Sequence, residues 1–255
     1  MTRLPDAFLT VPIAHRALHD VARGRAENSP AAIRAAIAAG YGIEIDLQLS
    51  SDGQPMVFHD YDLVRLTGEK GPVQRRSAAE LGQITLLGGK DTIPTLAQVL
   101  DLVAGRVALL IEIKDQDGIM GANIGRLEQA AAKALQGYAG PVAVMSFNPH
   151  TVLKMATLCP DIPRGLTTSA YRAEDWQLLP KGTRDRLREI PDYDATGSCF
   201  ISHEAEDLTR PRVADLKRRG AGILCWTVRS PEAEAEARKV AQNITFEGYL
   251  PEIPA

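Results

Sequence analysis

Two short runs in this 255-residue sequence alternate isoleucine with charged residues: Ile43-Glu44-Ile45-Asp46 and Ile111-Glu112-Ile113-Lys114. Residues two apart share one face of a β-strand. Glu44 and Asp46 therefore point one way and their isoleucines the other, and Glu112 and Lys114 share a face likewise. If the isoleucines pack beneath helices, the four polar side chains converge on an interior. Three ionised carboxylates cannot be buried together without a compensating cation, and oxygen ligands of this kind suit Mg²⁺ or Ca²⁺. Either run alone reads more simply as acids paired with Lys114 and Arg16, binding nothing. Two inward-pointing acidic motifs together favour a metal site at Glu44, Asp46 and Glu112.

Two of the five histidines, His15 and His59, end strand-like runs. A single histidine there is usually a hydrogen-bonded structural residue. A pair near neutral pKa can serve as acid and base around one reacting centre. Arg16 follows the first histidine, and with Lys114 it offers two fixed cations for an anionic group, the guanidinium presenting a fork that suits phosphate. Carboxylates, a hard cation, two histidines and two cationic side chains together describe metal-assisted phosphoryl-transfer chemistry.

The elements that must position these residues follow from periodicity. Apolar runs at 11–16, 42–48, 107–114, 142–147, 164–168, 199–202, 223–228 and 244–250 read as eight strands. Helical stretches are predicted over 30–39, 94–103, 119–135, 149–158, 173–189, 210–219 and 231–240, and a short extended piece over 56–59. Strands buried on both faces and separated by helices form a parallel sheet, and eight such units close into a (β/α)₈ TIM barrel over residues 1–255. A doubly wound open sheet would carry a glycine-rich phosphate turn after its first strand, where His15-Arg16-Ala17-Leu18 stands instead. In a barrel the charged residues above fall near the C-terminal strand ends, where such enzymes keep their sites.

Composition narrows the partners. With 29 Lys and Arg against 32 Asp and Glu, the net charge of −3 asks for neither nucleic acid nor an anionic membrane. The longest stretch free of formal charge, 134–153, holds Gly137, Gly140, Pro141 and Pro149, which argues against a membrane span and for helix, turn and buried strand. No secretory pattern is read at the start of the chain, and Cys159, Cys199 and Cys225 fit no zinc spacing. A cytoplasmic protein with reduced thiols is the resulting expectation. The glycosylation triplet Asn243-Ile244-Thr245 is read as chance.

Several motifs, in order, resemble the glycerophosphodiester phosphodiesterase family. They are Ala14-His15-Arg16, Ala26-Glu27-Asn28-Ser29, Gly42-Ile43-Glu44-Ile45-Asp46, Ser51-Asp52-Gly53 and Val57-Phe58-His59-Asp60. Leu63-Val64-Arg65-Leu66-Thr67-Gly68, Ile93-Pro94-Thr95-Leu96 and Ile111-Glu112-Ile113-Lys114 continue the set, and Cys225-Trp226-Thr227-Val228 is similar to the family's late Trp-Thr-Val strand. The dense agreement covers about the first half of the chain. The resemblance implies a barrel that hydrolyses a small-molecule glycerophosphodiester to glycerol 3-phosphate and an alcohol with a divalent cation. It implies metal binding by Glu44, Asp46 and Glu112, acid/base roles for His15 and His59, and phosphate contacts from Arg16 and Lys114. Phe147 and Trp226 look like the aromatic residues lining the family's substrate pocket, although Phe147 reads equally as packing.

The chain departs from the family pattern where Ala17 replaces the usual glycine, where Ala26 replaces the usual proline, and in a longer loop to Glu27. The family commonly ends its last strand in Thr-Asp followed by proline; here the run is Thr245-Phe246-Glu247-Gly248-Tyr249-Leu250-Pro251, which leaves the role of Glu247 open. Two further readings stand beside hydrolysis of glycerophosphodiesters: a lysophospholipase D or other phosphodiesterase on the same residues, and a non-catalytic phosphate-ligand binding module. The cation, the alcohol, the oligomeric state and the division of acid and base roles are not fixed by sequence.

Overall fold

The computed structural model describes residues 2–254. Nine strands form one sheet: β1 (Ile13–Ala14), β2 (Gly42–Leu49), β3 (Pro55–Val57), β4 (Leu109–Ile113), β5 (Val142–Ser146), β6 (Arg164–Thr168), β7 (Phe200–Glu204), β8 (Gly222–Val228) and β9 (Asn243–Phe246). Their order is β1-β9-β8-β7-β6-β5-β4-β2-β3, and β1 also pairs with β2, which closes a ring. Every pairing around that ring is parallel, and only β3 runs antiparallel, alongside the C-terminal end of β2. The expected (β/α)₈ barrel is what the chain builds.

Strand parity determines which side chains enter it. Ile43, Ile45, Ile111 and Ile113 pack outward in one core with Ile33 and Ala36 of the helix Pro30–Ala39 and Leu96, Val99 and Val103 of the helix Leu96–Val103. A second cluster fills the lower lumen, where Ile13, Leu110, Ala143, Met145, Phe200 and Leu224 meet. Leu4 and Phe8 close it from below, the latter carried by the short helix Ala7–Thr10, which no sequence pattern announced. The lumen is thus packed at its base, and polar side chains can gather only above. Gly165 is required by this packing, because a Cβ there would lie 2.5 Å from the Phe200 ring.

The helices start where their caps dictate. Ser29 accepts a hydrogen bond from the Ala32 amide with Pro30 in the first helical position, an arrangement worth about 1 kcal/mol. Thr95 and Gln98 form a reciprocal capping box before Leu96–Val103. Two predicted helices are shorter than expected. The stretch 119–135 becomes the helix Arg126–Leu135, because Gly118 (φ +76°) and Gly125 (φ +126°) hold the preceding loop in conformations that no right-handed helix uses. Glu128 then caps the new start by accepting the Gly125 amide at 2.6 Å. The stretch 173–189 becomes Lys181–Arg188, since Pro180 biases its predecessor away from helix and the segment before it forms turns instead.

Strand ends shift similarly. β1 is only two residues long because Arg16 (φ 51°) and Ala17 (φ 64°) turn left-handed directly after His15. β9 stops at Phe246 and the chain turns at Gly248 (φ +81°), so Glu247 to Leu250 lie outside the strand predicted for them. Asn243 of the glycosylation triplet is fully buried and donates to the carbonyls of Phe8 and Val11, tying β9 to the barrel floor. All three cysteines are free thiols. Among the described residues no helix is long and apolar enough to cross a membrane.

Candidate active site

The left-handed turn after β1 joins the first strand to the acidic pair on β2. The Arg16 amide donates to Glu44 Oε2 at 2.8 Å, and the Ala17 amide donates to the Glu44 carbonyl at 2.9 Å. Register brings the second acidic motif alongside, because Asp46 of β2 pairs directly with Glu112 of β4. Glu44, Asp46 and Glu112 are all buried, and each offers a carboxylate oxygen within 4.8 Å of the others.

Lys114 follows on the same face, with Nζ 3.0 Å from Asp46 Oδ1 and 2.8 Å from Glu112 Oε1. Arg16 Nε lies 3.8 Å from Asp46 Oδ2. Glu44 has no ion-pair partner among the described residues. Burial, then the charges of Asp46 and Glu112, push its carboxyl well above the usual range. Asp46 is the opposite case: against burial, the charges of Lys114, His59 and Arg16 and the Asn28 hydrogen bond hold it far below that range. Lys114 overcomes its own burial through Asp46 and Glu112 and stays charged well beyond neutral pH. Three buried acids thus face two cationic side chains, and Glu44, the acid without an ion-pair partner, is the one biased toward holding its proton. The donor set fits a hard divalent cation, since it is all oxygen and lacks one positive charge.

Both histidines are held through Nδ1. His15 Nδ1 lies 2.6 Å from Glu247 Oε2, and His59 Nδ1 lies 2.7 Å from Asp60 Oδ1. Burial, ahead of the counteracting Glu247 bond, lowers the His15 pKa below its ordinary value. Arg65 grips Asp60 through Nε and Nη2 and also reaches both oxygens of Glu27, which in turn accepts from Arg16 Nη1 at 2.8 Å. Asn28 donates to Asp46 Oδ2 at 2.9 Å. The motif Ala26-Glu27-Asn28-Ser29 therefore supplies one residue to Arg16, one to Asp46 and one helix cap.

All nine residues expected at a site, His15, Arg16, Glu44, Asp46, His59, Glu112, Lys114, Phe147 and Trp226, line one cavity of about 140 Å³. Met145, Thr167, Thr227, Arg229 and Thr245 complete its wall. Phe147 and Trp226 meet edge to face, with ring centroids 5.5 Å apart, and Trp176 and Tyr171 back Phe147. Trp226 is fixed by its Nε1 donating to the Ser202 carbonyl at 3.1 Å. Sequence reasoning assigned no site role to Asp60, Glu27 or Arg229, and read Asn28 with Ser29 only as a helix-capping residue, whereas Ser29 alone caps the helix and Asn28 serves Asp46. Asp60, Glu27 and Asn28 stand in quoted motifs, and the adjacency of Asp60 to His59 was an available signal; Glu27 and Asn28 are distant from Arg16 in sequence, and Arg229 lies beyond any motif.

The sequence profile of the glycerophosphoryl diester phosphodiesterase family matches residues 15–244. The chain belongs to that family. Its members are phosphoric diester hydrolases. The chain is 26% identical over 251 residues to YhdW of Bacillus subtilis, covering 95% of this chain and 94% of that protein. It is 30% identical over 178 residues to the glycerophosphodiester phosphodiesterase of Caldanaerobacter subterraneus, covering 66% and 71%. A phosphodiesterase of Oleispira antarctica, solved in complex with the product sn-glycerol-3-phosphate, shares the fold with a TM-score of 0.74 at 24% identity over 93% of each chain.

Proposed function

We propose that the protein hydrolyses small glycerophosphodiesters to glycerol 3-phosphate and an alcohol, using a divalent cation, Mg²⁺ or Ca²⁺, held by Glu44, Asp46 and Glu112. The observation that carries this reading is the convergence of those three carboxylates with two carboxylate-tethered histidines on one cavity. The cation would supply Lewis-acid polarisation of the phosphoryl group. Arg16 keeps a buried Nε without a hydrogen-bond partner, a donor suited to a phosphoryl oxygen, and Lys114 contributes a second positive charge. One histidine takes the proton of the attacking hydroxyl or water and the other protonates the departing alkoxide. Phe147 and Trp226 give the carbon skeleton of the substrate an apolar wall.

A cavity of this size suits a glycerol-phosphate group and leaves the alcohol to the rim. A lysophospholipid is the second reading, favoured by exposed apolar residues close by. Leu178 and Tyr61 both approach Gly118, and Ile119 beside them is about half exposed. The test is a cation-dependent assay of glycerophosphocholine, glycerophosphoethanolamine, glycerophosphoglycerol and a lysophospholipid, detecting glycerol 3-phosphate from the first three and lysophosphatidic acid from the last. Release from the first three supports the proposal. Cleavage of the lysophospholipid alone supports the second reading, and tight binding without turnover at saturating Mg²⁺ or Ca²⁺ makes the protein a binding module.

A further inference from the structure

We propose that Glu247 is the positioning residue for His15, fixing the ring so that Nε2 is the nitrogen presented to the reacting phosphodiester. The inference rests on the phosphodiesterase reading and names what holds one of its two histidines. A neutral imidazole has one N–H and one bare nitrogen, and an ionised carboxylate can only accept. With Glu247 Oε2 at 2.6 Å from His15 Nδ1, the ring proton sits on Nδ1 and the lone pair is confined to Nε2. The Glu247 carboxyl is held ionised far below its usual range, first by this His15 bond and then by nearby His19. His19 Nε2 stands 3.6 Å from the same oxygen, an ion-pair contact beyond hydrogen-bond reach.

The tether has two points. The His15 backbone amide donates to the carbonyl of Phe246 at 2.9 Å, so main chain and side chain of one dipeptide hold both ends of the histidine. Glu247 is itself immobilised from β8: its amide donates to the Val228 carbonyl at 3.0 Å, and its Oε1 accepts from Arg229 Nε at 2.7 Å. Little rotamer freedom is left to the carboxylate, which is what orienting a ring demands.

The same device recurs across the cavity with different parts. His59 Nδ1 bonds Asp60, and Arg65 braces Asp60 as Arg229 braces Glu247. One carboxylate comes from the next residue in the chain and the other from 232 residues away, yet both leave Nε2 as the working nitrogen. Two unrelated routes to one arrangement point to a requirement of the site rather than an accident of packing.

The test compares wild type, Glu247→Gln, Glu247→Asp, His15→Ala and the His15→Ala/Glu247→Gln double variant at saturating divalent cation. Glu247→Gln is expected to lower kcat about 10²-fold with KM within about threefold, because an amide no longer selects the tautomer. Glu247→Asp should recover part of the loss. In the His15→Ala background Glu247→Gln should cost nothing further, since Glu247 acts only through His15. Full activity of Glu247→Gln, or losses that multiply in the double variant, would overturn the assignment. If His15→Ala itself is fully active, the reading of the site fails instead. Imidazole ¹⁵N shifts of the wild-type protein give a check that needs no variant: a His15 proton found on Nε2 rejects the proposal.

Discussion

Lys114 Nζ sits 3.0 Å from Asp46 Oδ1 across the β2–β4 ladder and 2.8 Å from Glu112 on its own strand, and it leaves Glu44 uncompensated. One ammonium thus satisfies two of three buried acids, and the third is the one a divalent cation would balance. Mg²⁺ or Ca²⁺ should therefore raise the Tm of the wild-type protein, by about 2.7 kcal/mol of stability at a hundred times Kd. Glu44→Gln keeps the neutral form that burial favours and removes an anionic ligand, so the metal-free variant should melt no lower than wild type and gain little from either ion. Thermal unfolding with and without EDTA checks both arms. Equal ion-induced shifts in the two proteins would reject the site.

His15→Ala and His59→Ala should each lose about 10²–10⁴ in kcat, the usual range for one acid/base group, while melting normally. A substrate with a p-nitrophenyl leaving group needs no protonation on departure. It should restore most of the rate to whichever variant lacks the acid and none to the one lacking the base. Turnover near wild type in both variants on alkyl substrates would remove both histidines from the chemistry.

Gly165→Ala places a methyl where the Phe200 ring already lies, 2.5 Å away. Overpacking of this kind typically costs about 1–3 kcal/mol. Urea unfolding should show the loss, and Gly165→Ala with Phe200→Leu should recover part of it. A neutral Gly165→Ala would mean that the lower lumen is looser than described.

His203 is fully buried, with Nδ1 2.8 Å from Thr168 Oγ1 and Nε2 3.2 Å from Asp207. Burial lowers its pKa beneath 6.5, outweighing the Asp207 charge. The unfolded chain then binds this proton more readily than the fold does. The contribution to stability is full above about pH 6.5 and is lost as pH falls through the folded value. Between pH 7.5 and 5.5 the urea midpoint of wild type should fall further than that of His203→Gln. His15 shifts in the same direction and adds to the slope in both proteins. Parallel pH dependence of the two would show that His203 is not buried neutral.

The site was legible where a single strand carries it. Glu44, Asp46 and Glu112 lie on regular strands, with Lys114 one residue past β4 continuing its line, so period-two alternation pointed them into the lumen and the outward isoleucines confirmed the phase. The predicted helices overran where glycine or proline interrupted an otherwise helical composition, as before Arg126 and Lys181. Parity gives no guidance where the chain turns at a strand's end. Glu247 lies one residue beyond β9, and its direction is set by the turn at Gly248 and the bond to Val228.

By itself, the sequence determined the eight-fold alternation of strand and helix, the inward phase of the acids and the residue types available for chemistry. These follow from local geometry, because side-chain direction along a strand is periodic. Only tertiary structure decided which partners those residues meet. Closing the ring brings β9 against β1, and that contact, with the turn at Gly248 and the bond to Val228, puts Glu247 on His15. The β2–β4 register alone puts Lys114 between Asp46 and Glu112. Distances between strands far apart in sequence depend on closure and register, which no local pattern contains.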